Sequence, residues 1–229
     1  MKLLVISMMN ENGKKRRSYL NYDYKLIEGS IGNNLNDKWV KEVSKKIKLK
    51  YNAKQSTIDG FTGNFASHLK ALDYIIKNKL NDVIILEDDS IQTNPITKKV
   101  KKELKSLNEV ALLSGQINHP SSWNKDIGWK KEGKNKQIIN NFKEGINDID
   151  YKKFRWTQIN AMYVPTWKVA KKLLEEIRSK EKYIGFDYFL SKHRLVNKLI
   201  YPAIFKHHDH TSKSQVASNP GIVIDYVKV

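Results

Sequence analysis

The sequence predicts an α/β fold with a mostly parallel central sheet flanked by helices. Residues 83–86 read Val-Ile-Ile-Leu, an uninterrupted aliphatic run that is typical of a strand buried on both faces of a sheet. An amphipathic helix pattern precedes this run, and strand-like and helix-like segments alternate after it. This alternation is typical of layered α/β domains.

The first half of the chain contains one predicted strand and two predicted helices before that run. The strand covers residues 3–7, and a polar, basic turn follows it. Apolar residues recur at helical spacing over residues 37–47 and more regularly over residues 65–80. The glycines before the second helix indicate a turn, so we expect Thr62 or Asn64 to cap that helix.

The second half of the chain continues the alternation around one long polar segment. The predicted elements are a helix at 100–107, strands at 110–113 and 161–164, a helix at 169–177 and a strand at 199–201. Residues 116–159 are rich in Gly, Asn and Lys, and a loop of this length in a compact domain is usually functional or mobile. We therefore predict a single domain over residues 1–229, with a substrate-facing insertion at about 116–159.

The composition limits the possible partners and compartments. Lys and Arg number 42 against 24 Asp and Glu, and the resulting charge of +18 would attract nucleic acid, anionic lipid or acidic glycan. The basic residues form no compact motif with interleaved aromatics, so no specific nucleic acid is expected. The chain has no cysteine, which excludes disulfides and thiolate chemistry. Without a predicted signal peptide or transmembrane segment, we expect a cytoplasmic protein, at most peripheral to a membrane.

Three acidic residues, Glu87, Asp88 and Asp89, directly follow the buried strand. In open parallel sheets, ligands bind outside the carboxyl ends of the strands, so this position predicts a functional site. Adjacent carboxylates repel each other, and Mg²⁺ or Mn²⁺ would offset the repulsion. A solvated strand end is the alternative. On an extended backbone, Glu87 and Asp89 would point to one side and Asp88 to the other.

Residues 60–69 (Gly-Phe-Thr-Gly-Asn-Phe-Ala-Ser-His-Leu) and 85–89 (Ile-Leu-Glu-Asp-Asp) resemble glycosyltransferase family 25, which includes lipooligosaccharide and collagen sugar transferases. Its members typically show Gly-x-x-Gly-x-x-x-Ser-His and then a hydrophobic strand ending in Leu-Glu-Asp-Asp. Weaker similarities at 16–17, 160–164, 186–190 and 201–212 extend the resemblance to roughly residues 1–215. Asn64 is a departure, because members commonly carry Cys there.

The resemblance implies a GT-A-like nucleotide-binding sandwich and an inverting sugar transfer. The donor would be a nucleotide-diphosphate sugar, usually a uridine diphosphate (UDP) sugar, and the acceptor a hydroxyl of a glycan or glycoconjugate, including one at a membrane surface. Mn²⁺ or Mg²⁺ would stabilise charge on the leaving diphosphate. Two alternatives are a basic nucleic-acid-binding protein and a catalytically inactive glycan-binding domain of the same fold.

The acidic cluster supplies the metal ligands in this interpretation. The resemblance implies Asp89 as the main ligand with help from Glu87, and Asp88 in contact with the donor. His208 and His210 belong to a His-rich cluster that would complete the metal shell or hold the diphosphate. A histidine-rich surface turn is the alternative for that cluster.

Two basic residues and the Ser-His pair are candidates for donor binding. Arg16 and Arg17 follow the first strand, where a guanidinium can bind a diphosphate, although an exposed pair is the alternative. Ser67 and His68 match the family motif, and the resemblance implies contact with the nucleotide or the donor sugar. A hydrogen-bonded structural role is the alternative for the histidine.

The remaining candidates concern the acceptor. The resemblance makes Asp187 the general base that removes the proton of the acceptor hydroxyl, and a helix N-cap is its alternative role. Trp123, Trp129 and Trp156 lie in or beside the polar insertion and would form a platform for an acceptor sugar. A small satellite core under the insertion is the alternative for these rings.

Overall fold

The computed structural model of the protein describes residues 1–32, 37–42, 55–114, 117–118, 142–151, 155–156, 159–180 and 185–207. Its central sheet has seven strands, which are in spatial order β2 (Lys25–Glu28), β1 (Lys2–Ser7), β3 (Asn81–Glu87), β9 (Ala161–Thr166), β5 (Ala111–Leu112), β10 (Lys198–Tyr201) and β7 (Gly145–Asp148). Two small sheets pair β4 (Ser90–Gln92) with β11 (Phe205–His207) and β6 (Ile117–Asn118) with β8 (Arg155–Trp156).

The helices cover both faces of the central sheet. They are α1 (Glu11–Arg17), α2 (Gln55–Lys77), α3 (Lys98–Lys105), α4 (Trp167–Arg178) and α5 (Phe186–Lys192), and residues 38–42 are also helical. Apolar side chains of α2, α4 and α5 pack in one core with one face of the sheet. Leu104 of α3 belongs to a second core on the opposite face.

Five of the seven strands of the central sheet point in the same direction. The exceptions are β9, which is antiparallel to both β3 and β5, and β7, which is antiparallel to β10. The prediction of a mostly parallel sheet flanked by helices is confirmed. This architecture is consistent with the GT-A-like sandwich that the resemblance implies.

Strand β3 lies inside the sheet between β1 and β9. Val83 and Ile85 belong to the core under α2, whereas Ile84 and Leu86 belong to the core under α3. All four side chains are at most 1% exposed, which confirms that the aliphatic run is buried on both faces. The alternation also sets the direction of Glu87, the next residue, toward the α2 face.

The expected cap of the second helix is wrong, because α2 begins at Gln55 and residues 60–64 lie inside it. A glycine costs about 1 kcal/mol relative to alanine in a helix interior, so its presence needs a packing reason. A Cβ atom at Gly63 would lie only 2.4 Å from the carbonyl oxygen of Ser30. The glycine therefore allows α2 to pack closely against the backbone that follows β2.

Part of the predicted insertion forms regular structure. Residues 145–148 form β7, an outer strand of the central sheet, which the sequence did not predict. Residues 117–118 and 155–156 form the small sheet of β6 and β8, and most of the rest of 116–159 lies outside the described residues. The single-domain organisation of residues 1–229 stays a prediction.

Among the described residues, no helix combines the length and the apolar character that crossing a membrane requires.

Candidate active site

The carboxyl ends of β1 and β3 lie side by side and form the base of the site. The two strands are parallel, with Ile6 paired to Glu87, so β1 ends at Ser7 next to the end of β3. Helix α1 follows β1, and a turn formed by Asp88 and Asp89 follows β3. The acidic residues therefore lie at the edge of the sheet where ligands bind in open α/β folds, as their position in the sequence predicted.

Asp88 is buried and bonded to β1 and α1. The Ser7 hydroxyl donates to its Oδ2 atom at 2.6 Å, and Arg16 Nη1 donates to its Oδ1 atom at 3.3 Å. Burial raises the pKa of the Asp88 carboxyl above its usual value, although the Ser7 hydrogen bond and the Arg16 charge oppose the shift. The guanidinium thus compensates part of the cost of burying this acid.

Asp89 lies on the same side as Asp88. Its Oδ2 atom is 4.0 Å from Arg16 Nη1, so a single guanidinium contacts both carboxylates. The expectation that Asp89 would share the side of Glu87 is wrong, because the extended backbone ends at Glu87 and residues 88–89 form a turn. Strand alternation does not continue through a turn.

Arg17 binds the end of β1 from α1. Its Nη1 atom donates to the Met8 carbonyl oxygen at 2.8 Å and also to the Ser7 hydroxyl. The turn between β1 and α1 is tight, since a Cβ atom at Gly13 would lie 2.0 Å from that same carbonyl oxygen. Asn10 caps the helix by accepting a bond from the Gly13 amide at 2.9 Å. Both arginines are therefore held at the edge of the sheet.

Glu87 faces α2 rather than the other two acids. Its Oε1 atom accepts from Asn64 Nδ2 at 2.8 Å and lies 3.1 Å from His68 Nε2. Asn64, the residue that departs from the family pattern, thus binds an acid of the Glu-Asp-Asp motif. This carboxylate connects the end of β3 to the helix that carries the Ser-His pair.

Ser67 and His68 are both buried, at 3% and 2% exposed. Ser67 Oγ accepts from the Ser30 amide at 2.8 Å and donates to the Gly63 carbonyl oxygen at 2.6 Å, so it connects α2 to the segment after β2. The His68 ring stacks on Phe186, with ring centroids 4.0 Å apart and an angle of 5° between the planes. Both residues have structural contacts, and their contact with a donor stays a prediction.

Asp187 lies in the first turn of α5, one residue after Phe186. The N-cap of this helix is Gly185, so the alternative role of Asp187 as the cap is wrong. Because Phe186 stacks on His68, the start of α5 lies beside the α2 face of the site. The base role of Asp187 stays a prediction.

The metal ligands are only partly within the described residues. Over the described ranges, no three or more His, Asp or Glu side chains form a group that could hold a metal ion. His208 and His210 lie outside those ranges. Divalent cations at nucleotide sites are commonly held by one or two carboxylates together with the substrate phosphates, and Asp89 fits that arrangement. Glu87 and Asp88 are engaged by α2 and by Ser7 and Arg16, respectively.

The tryptophans predicted to contact the acceptor are mostly outside the described part of the chain. Trp123 and Trp129 lie outside it, and for Trp156 the structure describes the backbone as part of β8. Their role stays a prediction.

Residues 1–190 match the profile of glycosyltransferase family 25, described as a lipopolysaccharide (LPS) biosynthesis protein. The chain belongs to glycosyltransferase family 25. The match covers both arginines, the Ser-His pair, the acidic cluster and Asp187, so these residues of the transferase lie in the family region. A comparison with curated proteins finds no significant match.

The sequence did not place Asn160 next to the acidic cluster of the transferase. Its carbonyl oxygen accepts from the Glu87 amide at 2.9 Å and from the Ser90 hydroxyl at 2.7 Å, which places it beside the acidic turn. Asn160 precedes β9, and only an antiparallel strand begins at the edge where β3 ends. The aliphatic pattern of residues 161–164 carries no signal of that direction.

Proposed function

We propose that this family 25 transferase moves a sugar from a nucleotide-diphosphate donor, a UDP sugar, to a hydroxyl of a glycan or glycoconjugate with inversion at the anomeric carbon. The observation that carries the proposal is the position of Arg16 and Arg17 at the carboxyl ends of β1 and β3, beside the acidic turn. Guanidinium groups bind phosphates with paired N–H donors, and nucleotides bind at this edge of α/β sheets.

Arg16 can bind a phosphate without losing its acidic partners. Both of its carboxylate contacts involve Nη1, whereas a guanidinium carries five N–H donors in all. Its side chain is 34% exposed, so part of the group is accessible. Asp88 and Ser7 hold the guanidinium network in place before a donor binds, which limits the ordering cost of binding.

Mn²⁺ or Mg²⁺ is part of this proposal. Asp89 is the proposed protein ligand, and the donor diphosphate would supply most of the other ligands of the ion. Glu87, His208 and His210 are the further candidates from the sequence. When bound, such an ion stabilises the negative charge that develops on the leaving diphosphate. The Arg16 guanidinium would stabilise the same negative charge.

Asp187 is the proposed general base. A single in-line displacement requires a carboxylate that accepts the proton of the acceptor hydroxyl as the sugar is transferred. The stack of Phe186 on His68 holds the start of α5 next to the α2 face, which supports this role for Asp187.

The acceptor is proposed to be an LPS-type glycan at a membrane surface, bound with help from Trp123, Trp129 and Trp156. The family description supports the LPS class, and the charge of +18 suits a phosphorylated or acidic acceptor. A cytoplasmic protein that acts at the membrane surface is the location that this acceptor class suits.

A thermal-shift screen tests the donor class. The transferase is heated with individual nucleotide sugars, with and without Mn²⁺, because a ligand that binds the native state raises the melting temperature. We expect one UDP sugar to raise it, and more so with metal. Asp89→Asn should remove the metal-dependent part. The matched control is Asp73→Asn, because Asp73 lies on α2 and pairs only loosely with Arg178 at 3.8 Å.

Turnover then separates the competing functions. Transfer from the selected donor to an LPS oligosaccharide supports the proposal. Binding of the oligosaccharide without transfer would indicate a glycan-binding domain. Binding of RNA or DNA that weakens steeply with salt, with no shift from any nucleotide sugar, would indicate the nucleic-acid-binding alternative.

A further inference from the structure

Two residues that contact Glu87 each carry a buried nitrogen atom with no hydrogen-bond partner in the described part of the chain. These atoms are His68 Nδ1 and Asn160 Nδ2, and each residue is 2% exposed. Buried polar atoms are nearly always paired, because an unpaired one has lost its bonds to water without replacement. Two such atoms beside one residue of a candidate active site indicate groups that are kept for a ligand.

The sheet register, continued by one residue, places Asn160 on the same face of the sheet as Glu87. Leu86 pairs with Ala161, and the Glu87 amide donates to the Asn160 carbonyl oxygen at 2.9 Å, so Asn160 lies opposite Glu87. Ile85 and Met162, two residues from Glu87 and Asn160 along their strands, both belong to the core under α2. By strand alternation, Asn160 shares that face with Glu87, and Glu87 in turn contacts His68.

Both residues are fixed in position by contacts that leave these nitrogen atoms unused. The backbone of Asn160 accepts from the Ser90 hydroxyl at 2.7 Å and donates to Ser114 Oγ at 3.2 Å. His68 is held by Glu87 and by the stack on Phe186. The backbone of Asn160 and the ring of His68 are therefore held in place before a ligand binds, which limits the ordering cost of binding.

The two atoms have complementary hydrogen-bonding roles. Asn160 Nδ2 is a donor. His68 Nε2 contacts the Glu87 carboxylate, which only accepts, so this nitrogen carries a hydrogen, and in that tautomer Nδ1 has a lone pair that accepts. A ligand that matches both must accept at one point and donate at another. Hydroxyl groups on a sugar ring do both.

We infer that Asn160 and His68 bind hydroxyls of the transferred sugar in the donor. This inference rests on the proposed function and adds a subsite to it. The diphosphate is proposed to lie at Arg16, beside β1 and β3, whereas Asn160 lies on the far side of β3, next to β9. In a nucleotide sugar, the diphosphate separates the nucleoside from the sugar. With the diphosphate at Arg16, the sugar can extend past β3 toward β9, where Asn160 lies.

The test compares affinities for UDP and for the UDP sugar selected by the thermal-shift screen. Asn160→Ala removes the donor group, and His68→Gln keeps a nitrogen near the Nε2 position for Glu87 while it removes Nδ1. We expect each variant to lose about tenfold in affinity for the UDP sugar and nothing for UDP. Asn147→Ala is the matched control, because Asn147 Nδ2 already donates to the Lys143 and Gly145 carbonyl oxygens at 2.8 and 2.9 Å.

Melting temperatures without ligand show whether a loss of affinity comes from misfolding. Asn160→Leu fills a similar volume without polar atoms, so its melting temperature without ligand should equal or exceed that of the wild type. Asn147→Ala should lower it, because it breaks bonds that are made.

Three other results of these measurements would overturn the inference, and a fourth would overturn the proposed function. Equal losses for UDP and the UDP sugar would assign Asn160 to the nucleotide and overturn the inference. Unchanged affinities, or a lower melting temperature for Asn160→Leu, would also overturn it. If the wild type binds neither ligand, the proposed function itself fails, and the variants play no part in that result.

Discussion

Arg16 and Asp88 are joined by a hydrogen bond of 3.3 Å, although 72 residues separate them in the sequence. This contact explains how an aliphatic strand can end in three acids. The strand delivers Asp88 into a buried position, and α1 brings a guanidinium to the same place. Removing the guanidinium would leave the buried Asp88 carboxylate without its counter-charge. The acidic cluster is therefore balanced within the protein before any ligand binds.

Arg16→Ala should weaken donor binding because it removes the guanidinium from the proposed diphosphate site. Hydrogen bonds to charged groups contribute about 1.5–3 kcal/mol, so the affinity for UDP should fall roughly 10- to 100-fold. Titration calorimetry of UDP measures the change. Arg16→Lys should recover part of the loss, since a point charge cannot reproduce the planar donor group.

The matched control for Arg16 is Arg178→Ala. Arg178 Nη2 also donates to a carboxylate, Asp37 Oδ2 at 3.0 Å, but it lies at the end of α4. Its removal should leave the affinity for UDP unchanged. Equal losses in both variants would mean that overall positive charge, rather than the Arg16 site, governs nucleotide binding.

Glu87→Ala and Asp89→Ala should separate a structural acid from a functional one. Removing the Glu87 carboxylate leaves Asn64 Nδ2 and His68 Nε2 without their acceptor. The cost is about 1–3 kcal/mol for the buried His68 nitrogen and smaller for the half-buried Asn64 amide. Glu87→Ala should thus lower the free energy of unfolding in urea. Asp89→Ala should change it little and abolish sugar transfer. The reverse pattern would contradict this division of roles.

The helices and strands of the fold were predictable because the spacing of apolar residues along the chain shows which side of each element is buried. The aliphatic run of β3 and the periodic apolar residues of α2 and α4 gave strands and helices of the correct type. The direction of β9 was not predictable from its own residues. A strand buried on both faces has the same composition whether its neighbours are parallel or antiparallel.

The site was predictable in position and only partly in detail. Glu87, Asp88 and Asp89 were placed correctly at the end of β3, but their directions depend on where the strand stops and the turn begins. Contacts between distant residues, such as Asn64 with Glu87, depend on how α2 packs. Gly63 shows the same limit, since a local rule interpreted it as part of a turn before the helix, whereas its close approach to Ser30 is a tertiary contact.

Asp88 and Asp82 should give opposite dependences of stability on pH. Burial raises the pKa of Asp88, so its contribution to stability is full below the unfolded pKa of about 3.9 and is lost as the pH rises through the native pKa. Burial alone would also raise the pKa of Asp82. Hydrogen bonds from Tyr163 and Lys105, with the Lys105 charge, lower the pKa of Asp82 overall. The contribution of Asp82 to stability is therefore full above about pH 3.9 and is lost on acidification.

Melting temperatures between pH 3 and pH 7 test this contrast. Relative to the wild type, Asp88→Asn should gain stability as the pH rises, because the amide resembles the protonated acid that the buried site favours. Asp82→Asn should lose stability at neutral pH, where Tyr163 and Lys105 bind the charged carboxylate at 2.8 and 3.2 Å, and the loss should shrink at low pH. Parallel curves for the two variants would show that burial does not control Asp88.

Asp187→Asn should lower the rate of sugar transfer without weakening donor binding. Asp187 lies in the first turn of α5, directly after the Phe186 ring that stacks on His68. A positioned general base contributes about 10²- to 10⁴-fold to the rate, and an amide cannot accept the proton. We therefore expect kcat to fall by that factor while the affinity for UDP stays the same. A variant that loses donor affinity instead would make Asp187 a donor-binding residue, and an unchanged kcat would require another base.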